Sequence, residues 1–351
     1  MLLTSIALSQ FRNFTTAHHV IGPHLTIIVG NNAQGKTSLL EGIYVAVYGT
    51  GFRESKELEL ICFPSTESMI ESYFSHDGMK EIFQVAITRA SESTVTKTYY
   101  VGKAKKTSRF YRDHQTHAVL FAPEQIQIIT GSPGRRRRYL DTVISASDPE
   151  YKRSLRMYET ALRSRNKLLE AFEDERTLDE QIGYWDMQVV AHSAVITAGR
   201  TRFVQYLNNH QEKATKPFSI SYHSDPCTRD RLREVSALER RFRRTVIGPQ
   251  KDDFQIFLHE SSKGRKKEVH LYGSRSEQRM AIFWLKLNEL SYLEELSGIR
   301  PILLLDDIFS ELDDTNRHLV TNVIKEYQTI ATTTEEEIQD IAATSVEMIR
   351  L

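Results

Sequence analysis

The chain is poor in cysteine: Cys62 and Cys227 are the only two in 351 residues and form no C-x-x-C pair. That excludes a disulfide framework and a cysteine-based zinc site, and it fits a reducing cytosol. Glycine (16) and proline (9) are also few, which excludes collagen-like, low-complexity and wholly disordered chains. No apolar run approaches the roughly 18 residues that span a bilayer. The apolar start from Met1 to Leu8 lacks a basic n-region and a small-residue cleavage site, so it reads as a strand, and the expected location is cytoplasmic with no membrane contact. Net charge is absent as well, with 46 basic against 46 acidic residues, so a nucleic-acid partner has to be met by a local basic patch.

What is present is an ordinary globular composition, 40% apolar and 26% charged, at a length that predicts about two domains. Through about residue 144 the pattern is mixed α/β: an apolar run Leu25-Thr26-Ile27-Ile28-Val29, a Gly-bearing turn, a helix expected over about 36–48, and an alternating strand from Thr94 to Tyr100 ending at Gly102. From about Ser147 the spacing of Tyr151, Leu155, Tyr158 and Leu162 marks one helical face. Ile182, Trp185, Val189 and Ile196 mark a second, after an acidic break over 170–180, and the two read as an antiparallel helical pair. Strand patterns return at 218–222 and 254–258, the latter followed by a turn Ser261-Ser262-Lys263-Gly264.

The strongest chemical signal is Gly30-Asn31-Asn32-Ala33-Gln34-Gly35-Lys36-Thr37, a G-x-x-x-x-G-K-T loop between strand and helix. Such a loop surrounds phosphate with backbone N–H groups and a helix N-terminus; Lys36 adds a point charge near the β- and γ-phosphates, and Thr37 offers a hydroxyl to Mg²⁺. Residues 30–38, Ser38 included, are the expected nucleotide-binding set. The second signal is Ile302-Leu303-Leu304-Leu305-Asp306-Asp307, an apolar run ending in two carboxylates, as expected of a buried parallel strand. Asp306 is expected to hold Mg²⁺ with Thr37, while Asp307, with Lys36, is the expected catalytic group, orienting or deprotonating the attacking water.

To share a Mg²⁺, the strands carrying these two motifs are expected to be neighbours in one sheet. The head is therefore assembled from both ends of the chain around an inserted middle, with expected boundaries 1–144 and 241–351 for the head and 145–240 for the insertion. Between the motifs, Gly273-Ser274-Arg275-Ser276-Glu277-Gln278-Arg279 leads into an apolar helix. Ser274 is an ordinary N-cap by type, yet in a split-head ATPase the same device suits a γ-phosphate presented by another subunit. Ala331-Thr332-Thr333-Thr334 ends a short apolar strand facing the same region.

Basic runs occur at Arg135-Arg136-Arg137-Arg138, at Lys103, Lys105, Lys106 and Arg109 beside the hairpin, and among seven arginines in 229–244. Each is a solvated surface or a duplex-phosphate contact; Arg135 to Arg138 with Lys105 and Lys106 are the expected DNA-binding residues. No aromatic residues interleave with them, so duplex backbone is favoured over stacked single strands. Arg12 and Arg53 fit a contact to phosphate or to the dimer seam, or a structural ion pair. The twelve histidines show no ligand spacing, His18-His19 reads as a surface loop, and no metal beyond Mg²⁺ is expected.

Taken in order, these segments resemble the RecF family of bacterial recombination-repair ATPases, related to SMC and ABC ATPases. The resemblance runs from Phe11-Arg12-Asn13-Phe14 through the phosphate loop, Gly51-Phe52-Arg53, Gly131-Ser132-Pro133 with Arg136-Arg137 and Leu140-Asp141, Arg165-Asn166, Trp185-Asp186, Thr245, Gly248-Pro249 and Asp252-Asp253. It closes with the Ser274 segment, Asp306-Asp307 with Ser310-Glu311-Leu312-Asp313, and Thr332 to Thr334. The family normally has glycine where Ser276 stands, glutamine where Glu277 stands, and His-Arg where Gln250-Lys251 stand.

The resemblance implies an ABC/SMC-type α/β head with an inserted, mainly helical domain. It implies an ATP-dependent homodimer in which each Ser274 meets the other protomer's nucleotide, and slow DNA-sensitive hydrolysis. It further implies a clamp on double-stranded and gapped DNA that works with RecR and RecO-type mediators to place recombinase. A transporter nucleotide-binding subunit is the competing enzyme class, but it usually carries an L-S-G-G-Q signature and a switch histidine, and neither is here. A non-hydrolysing ATP-sensing module is the other alternative.

Overall fold

The computed structural model describes residues 1–351 except 54–55, 77, 114–115, 215, 261–264, 309–313 and 335–345. The expected turn at 261–264 and the Ser310-Glu311-Leu312-Asp313 tail therefore lie outside the described residues. Contacts divide the chain into one unit of residues 1–123 and 293–351 and a second of 124–292.

The first unit contains β1 (Leu2–Phe11), β2 (Phe14–Val20), β3 (Leu25–Val29), β4 (Glu67–His76), β5 (Met79–Arg89), β6 (Val95–Val101), β7 (Ala104–Lys106) and β8 (Ala118–Phe121). The second contributes β9 (Phe218–His223), β10 (Asp253–Glu260) and β11 (Arg265–Glu268), and the chain returns to the first for β12 (Ile302–Leu305), β13 (Thr329–Thr333) and β14 (Val346–Arg350). An antiparallel sheet runs β2-β1-β4-β5-β6-β7, and a five-stranded sheet runs β14-β3-β13-β12-β8 with its strand pairs parallel. Parallel strands covered on both faces read as unbroken apolar runs, and β3, β8, β12 and β13 are buried at every position.

Both ends of the chain thus build one sheet, as the split motifs required. Gln328 clasps them further: its side chain accepts from Leu3 N at 2.9 Å and donates to Leu3 O at 2.7 Å and Gly22 O at 2.8 Å. One expectation is corrected: β13 lies between β3 and β12, so the phosphate-loop strand and the acidic strand are not neighbours. The motifs still meet, because the loop turns away from β3 into helix α1 (Lys36–Tyr48), which carries Thr37 toward the end of β12.

Helix α1 is apolar nearly all round, from Leu39 and Leu40 to Val47, and contacts β4 and β5 of one sheet and β13 of the other. It stops at Gly49, in the left-handed region at φ 71°, whose N–H donates to Val45 O at 2.7 Å.

The second unit holds long helices at 133–147, 149–171 and 175–209, the start of one at 275–297, and a three-stranded sheet β11-β10-β9. The expected break at 170–180 is shorter: the second helix begins at Glu175, capped by Asp174, which accepts from Thr177 N at 2.9 Å. The dividing points 123/124 and 292/293 differ from the expected 144/145 and 240/241. The reason is packing: Ile128, Ile129 and Leu140 on one side and Ala281, Trp284 and Leu285 on the other join the core formed by Tyr158, Val189 and Phe203. His18 and His19 lie on strand β2 rather than in a loop.

Candidate nucleotide site

At the phosphate loop the backbone itself makes the site. Gly35 takes φ 113°, and a Cβ there would come within 2.5 Å of Asn13 Nδ2 and 2.9 Å of the Phe14 ring. Ala33 adopts φ 68° without being glycine, a costly conformation that the surrounding loop must enforce. No side chain caps α1, so its first N–H groups are left to an anion, where the helix dipole also favours negative charge.

Inside the loop, Lys36 is buried and donates through Nζ to Gly30 O at 2.8 Å, and Gln34 Oε1 accepts from Asn31 N at 2.5 Å. Asn13 braces it from β1's far end, donating through Nδ2 to Gln34 O at 3.2 Å.

Across the cleft, Thr37 Oγ1 donates to Asp306 Oδ1 at 3.0 Å although 269 residues separate them. Thr332 Oγ1, fully buried on β13, donates to the same Asp306 Oδ1 at 2.9 Å and lies 3.3 Å from Asp307 Oδ1. It also accepts from Asp307 N at 2.8 Å. Asp307 itself sits at φ 45°, so the expected water-orienting group is in a strained conformation held by its neighbours. Thr37 and Asp306 present hard oxygen donors, which suit Mg²⁺. Among the described residues no group of three or more His, Cys, Asp or Glu could hold a metal.

An open cleft of about 580 Å³ is lined by Lys36, Thr37, Ser38 and Asp307 together with Arg12, Arg53, Ile61 and Phe63. Glu41, fully buried on α1, settles Arg12 as structural: Arg12 grips it with Nε at 2.7 Å and Nη2 at 3.0 Å. Arg53 reaches the same carboxylate only at 3.7 Å with its side chain 36% exposed, so it faces the cleft. Gly51 admits this arrangement, since a Cβ there would stand 2.7 Å from Glu41 Oε1. A lone carboxylate inside the apolar run Leu39-Leu40-Glu41-Gly42-Ile43 was the available sequence signal, and it was missed.

Ser274, in the second unit, is an exposed N-cap in a reciprocal capping box. Ser274 N donates to Glu277 Oε2 at 2.8 Å, and Glu277 N donates to Ser274 Oγ at 3.3 Å. Burial pushes the Glu277 carboxyl up, but hydrogen bonds from Lys267 and from Ser274 overcome it and hold the group down at about 2.

The expected DNA residues divide. Arg136 is committed to Asp253, at 2.6 and 2.9 Å, and Arg137 donates to Asp252 O at 2.7 Å, so these two are tied into the second unit. Burial, and then the neighbouring Arg200, depress the Arg137 pKa. Arg138 is exposed and Arg135 half-buried. Lys105 is exposed on the β6–β7 hairpin, and Lys106 Nζ lies 4.4 Å from the Phe110 ring centroid. In 229–244, Arg231, Arg233 and Arg240 pair with Asp225, Asp230 and Asp179.

Sequence reasoning gave no role to the residues at the heart of the second unit. Arg165 donates to Asp186 at 2.7 Å, Glu239 at 2.6 Å and Thr245 at 2.8 Å. Arg200 joins Asp141 at 2.9 Å to Asp252 at 2.7 Å. Several short segments that carried the resemblance thus turn out to meet as two buried ion networks.

The chain matches, over residues 2–350, the family described as RecF/RecN/SMC N terminal domain. It is 32% identical to the DNA replication and repair protein RecF of Lachnospira eligens, over 95% of this chain and 93% of that one. Identity to the protein of the same description from Thermomicrobium roseum is also 32%, over 96% and 94%. A solved structure of the recombination mediator protein RecF-ATP in the RecFOR pathway superposes with a TM-score of 0.83 at 29% identity, covering 95% of this chain and 92% of that one. Its counterpart with ATPrS gives 0.85 at 29%, covering 99% and 95%. An Smc head domain from Pyrococcus furiosus, at 16% identity and a TM-score of 0.52 over 97% of this chain and 92% of that one, shares the fold alone. With the phosphate loop, the acidic strand and nearly the full length all in agreement, the chain belongs to the RecF family.

Proposed function

We propose that this chain is a cytoplasmic ATP-dependent DNA-binding protein of recombinational repair and replication restart, in which ATP joins two copies into a clamp. The observation that carries it is the chain of hydroxyls and carboxylates from Thr37 through Asp306 to Thr332 at the mouth of an uncapped helix. Residues 30–38 bind the phosphates, and Thr37 and Asp306 hold Mg²⁺. The ion would supply charge neutralisation at the β- and γ-phosphate oxygens. Asp307 orients the attacking water and accepts its proton.

Ser274 offers its hydroxyl to the nucleotide of the second copy. A nucleotide touched by both copies favours the joined state in proportion to its extra affinity for that state. Hydrolysis removes the shared γ-phosphate contact and releases the pair, so turnover acts as a timer. Arg138, Lys105 and Lys106 contact phosphates of double-stranded or gapped DNA, and RecR and RecO-type mediators act on the clamp. The solved relative named as an ATP-bound mediator of the RecFOR pathway supports this reading by analogy.

The test is sedimentation velocity of the full chain with Mg-ATP, with gapped DNA, and with both. Lys36→Ala is expected to abolish ATP binding and dimer formation, and Asp307→Asn to bind ATP yet remain dimeric long after wild type has separated. A wild-type chain that stays monomeric in saturating ATP refutes the proposal.

A further inference from the structure

Phosphate chemistry accounts for part of the lining of the 580 Å³ cleft and leaves the rest without a role. That remainder includes two large apolar side chains, Ile61 and Phe63. Ile61 is almost buried, but Phe63 is 90% exposed, the most exposed large apolar side chain among the described residues. A single exposed apolar residue on a surface needs no explanation; this one lines the cleft that contains Lys36 and Thr37.

Its backbone is also fixed. Arg12 N donates to Leu60 O at 2.9 Å, Cys62 N to Gln10 O at 2.8 Å, and Ser65 N to Cys62 O at 2.8 Å. The ring is therefore displayed from a turn that is closed by its own Ser65–Cys62 bond and tied just before Phe63 to the end of β1, so little freedom is lost when something packs on it.

We propose that Phe63 is the base-contacting residue of this cleft, its ring stacking on the nucleobase of the nucleotide whose phosphates lie at Lys36. The inference rests on the nucleotide-site reading above and extends it to the half of the ligand which that reading left unassigned. A planar base presents a π-face of the kind an exposed aromatic ring receives, and stacking of this sort tolerates any base. Phe63 then adds affinity for nucleotides over bare phosphate without discriminating adenine from guanine.

The test is calorimetric titration of the full chain, wild type and Phe63→Ala, with Mg-ATP, Mg-GTP and inorganic tripolyphosphate, at concentrations where sedimentation shows monomer. Phe63→Ala is expected to weaken ATP and GTP alike by about tenfold, the order of magnitude of one base–aromatic stack. Tripolyphosphate affinity stays at the wild-type value, and Phe63→Tyr binds ATP as wild type does. Because the ring is solvent-exposed, the melting temperature of the free protein should not move. Equal losses for ATP and tripolyphosphate, or no loss for either, overturn the inference while leaving the phosphate site standing. A wild-type chain that binds ATP no differently from Lys36→Ala overturns both.

Discussion

Thr332→Val isolates the residue that holds the acidic pair Asp306-Asp307 from the neighbouring strand. Valine nearly matches threonine in volume, so the core around this fully buried position keeps its packing while three polar contacts disappear. The Asp307 amide loses the hydroxyl it donates to at 2.8 Å. A buried donor deprived of its acceptor costs about 1–3 kcal/mol, and that loss should appear as a lower urea midpoint for the nucleotide-free protein.

Separately, Asp306 Oδ1 loses the 2.9 Å hydroxyl that holds it toward Thr37. If a similar free energy is withdrawn from the positioned carboxylate, Mg-ATP affinity falls by about 5- to 150-fold, at 1.4 kcal/mol per decade. Titration calorimetry with Mg-ATP reads the second effect and urea unfolding the first, and Thr332→Ser should restore both. A Thr332→Val protein with wild-type midpoint and wild-type affinity would refute the claim that this hydroxyl positions the acidic pair.

Three further outcomes are expected. Glu277 is held down at about 2 against an ordinary 4.5. Its contribution to stability is therefore present above about pH 4.5 and lost as pH falls toward 2. Glu277→Gln keeps the cap but not the charge, so the stability gap between the two proteins in urea should shrink across that window; a constant gap refutes it. Arg165→Met leaves Glu239 buried without its cation and should cost about 3–5 kcal/mol in unfolding free energy, whereas a loss under 1 kcal/mol on that scale would deny the network its role. Finally, Lys105→Ala and Lys106→Ala should each make the salt dependence of duplex binding shallower by about one unit of log–log slope. Arg136→Ala should instead lower thermal stability, because that guanidinium is spent on Asp253. An unchanged slope in the lysine variants would remove the hairpin from the DNA surface.

Much of the site was legible because it is contiguous. Strand 25–29, the loop and the helix at 36–48 each announce themselves within a few residues of periodicity and glycine placement, and the structure has strand and helix with those limits. The acidic strand was legible for the same reason. Arg12 and Arg53 were not separable, because what distinguishes them is distance to Glu41, 2.7 against 3.7 Å, which no local pattern encodes. Arg136 and Arg137 looked like their neighbours in a run of four and proved committed to Asp253 and Asp252, which lie 117 and 115 positions away.

The sequence by itself determined the local build of the loop, since a G-x-x-x-x-G-K-T segment between strand and helix folds on its own neighbours and carries its N–H groups with it. It also required that head strands come from both ends of the chain. Only the tertiary structure decided that β13 stands between the two motif strands, so that the acidic pair Asp306-Asp307 is held by Thr332 of β13 and not by the phosphate-loop strand. Strand order within a sheet is set by how crossovers pack and not by the residues of any one strand. A contact spanning 269 positions, such as Thr37 to Asp306, exists only once that order is in place.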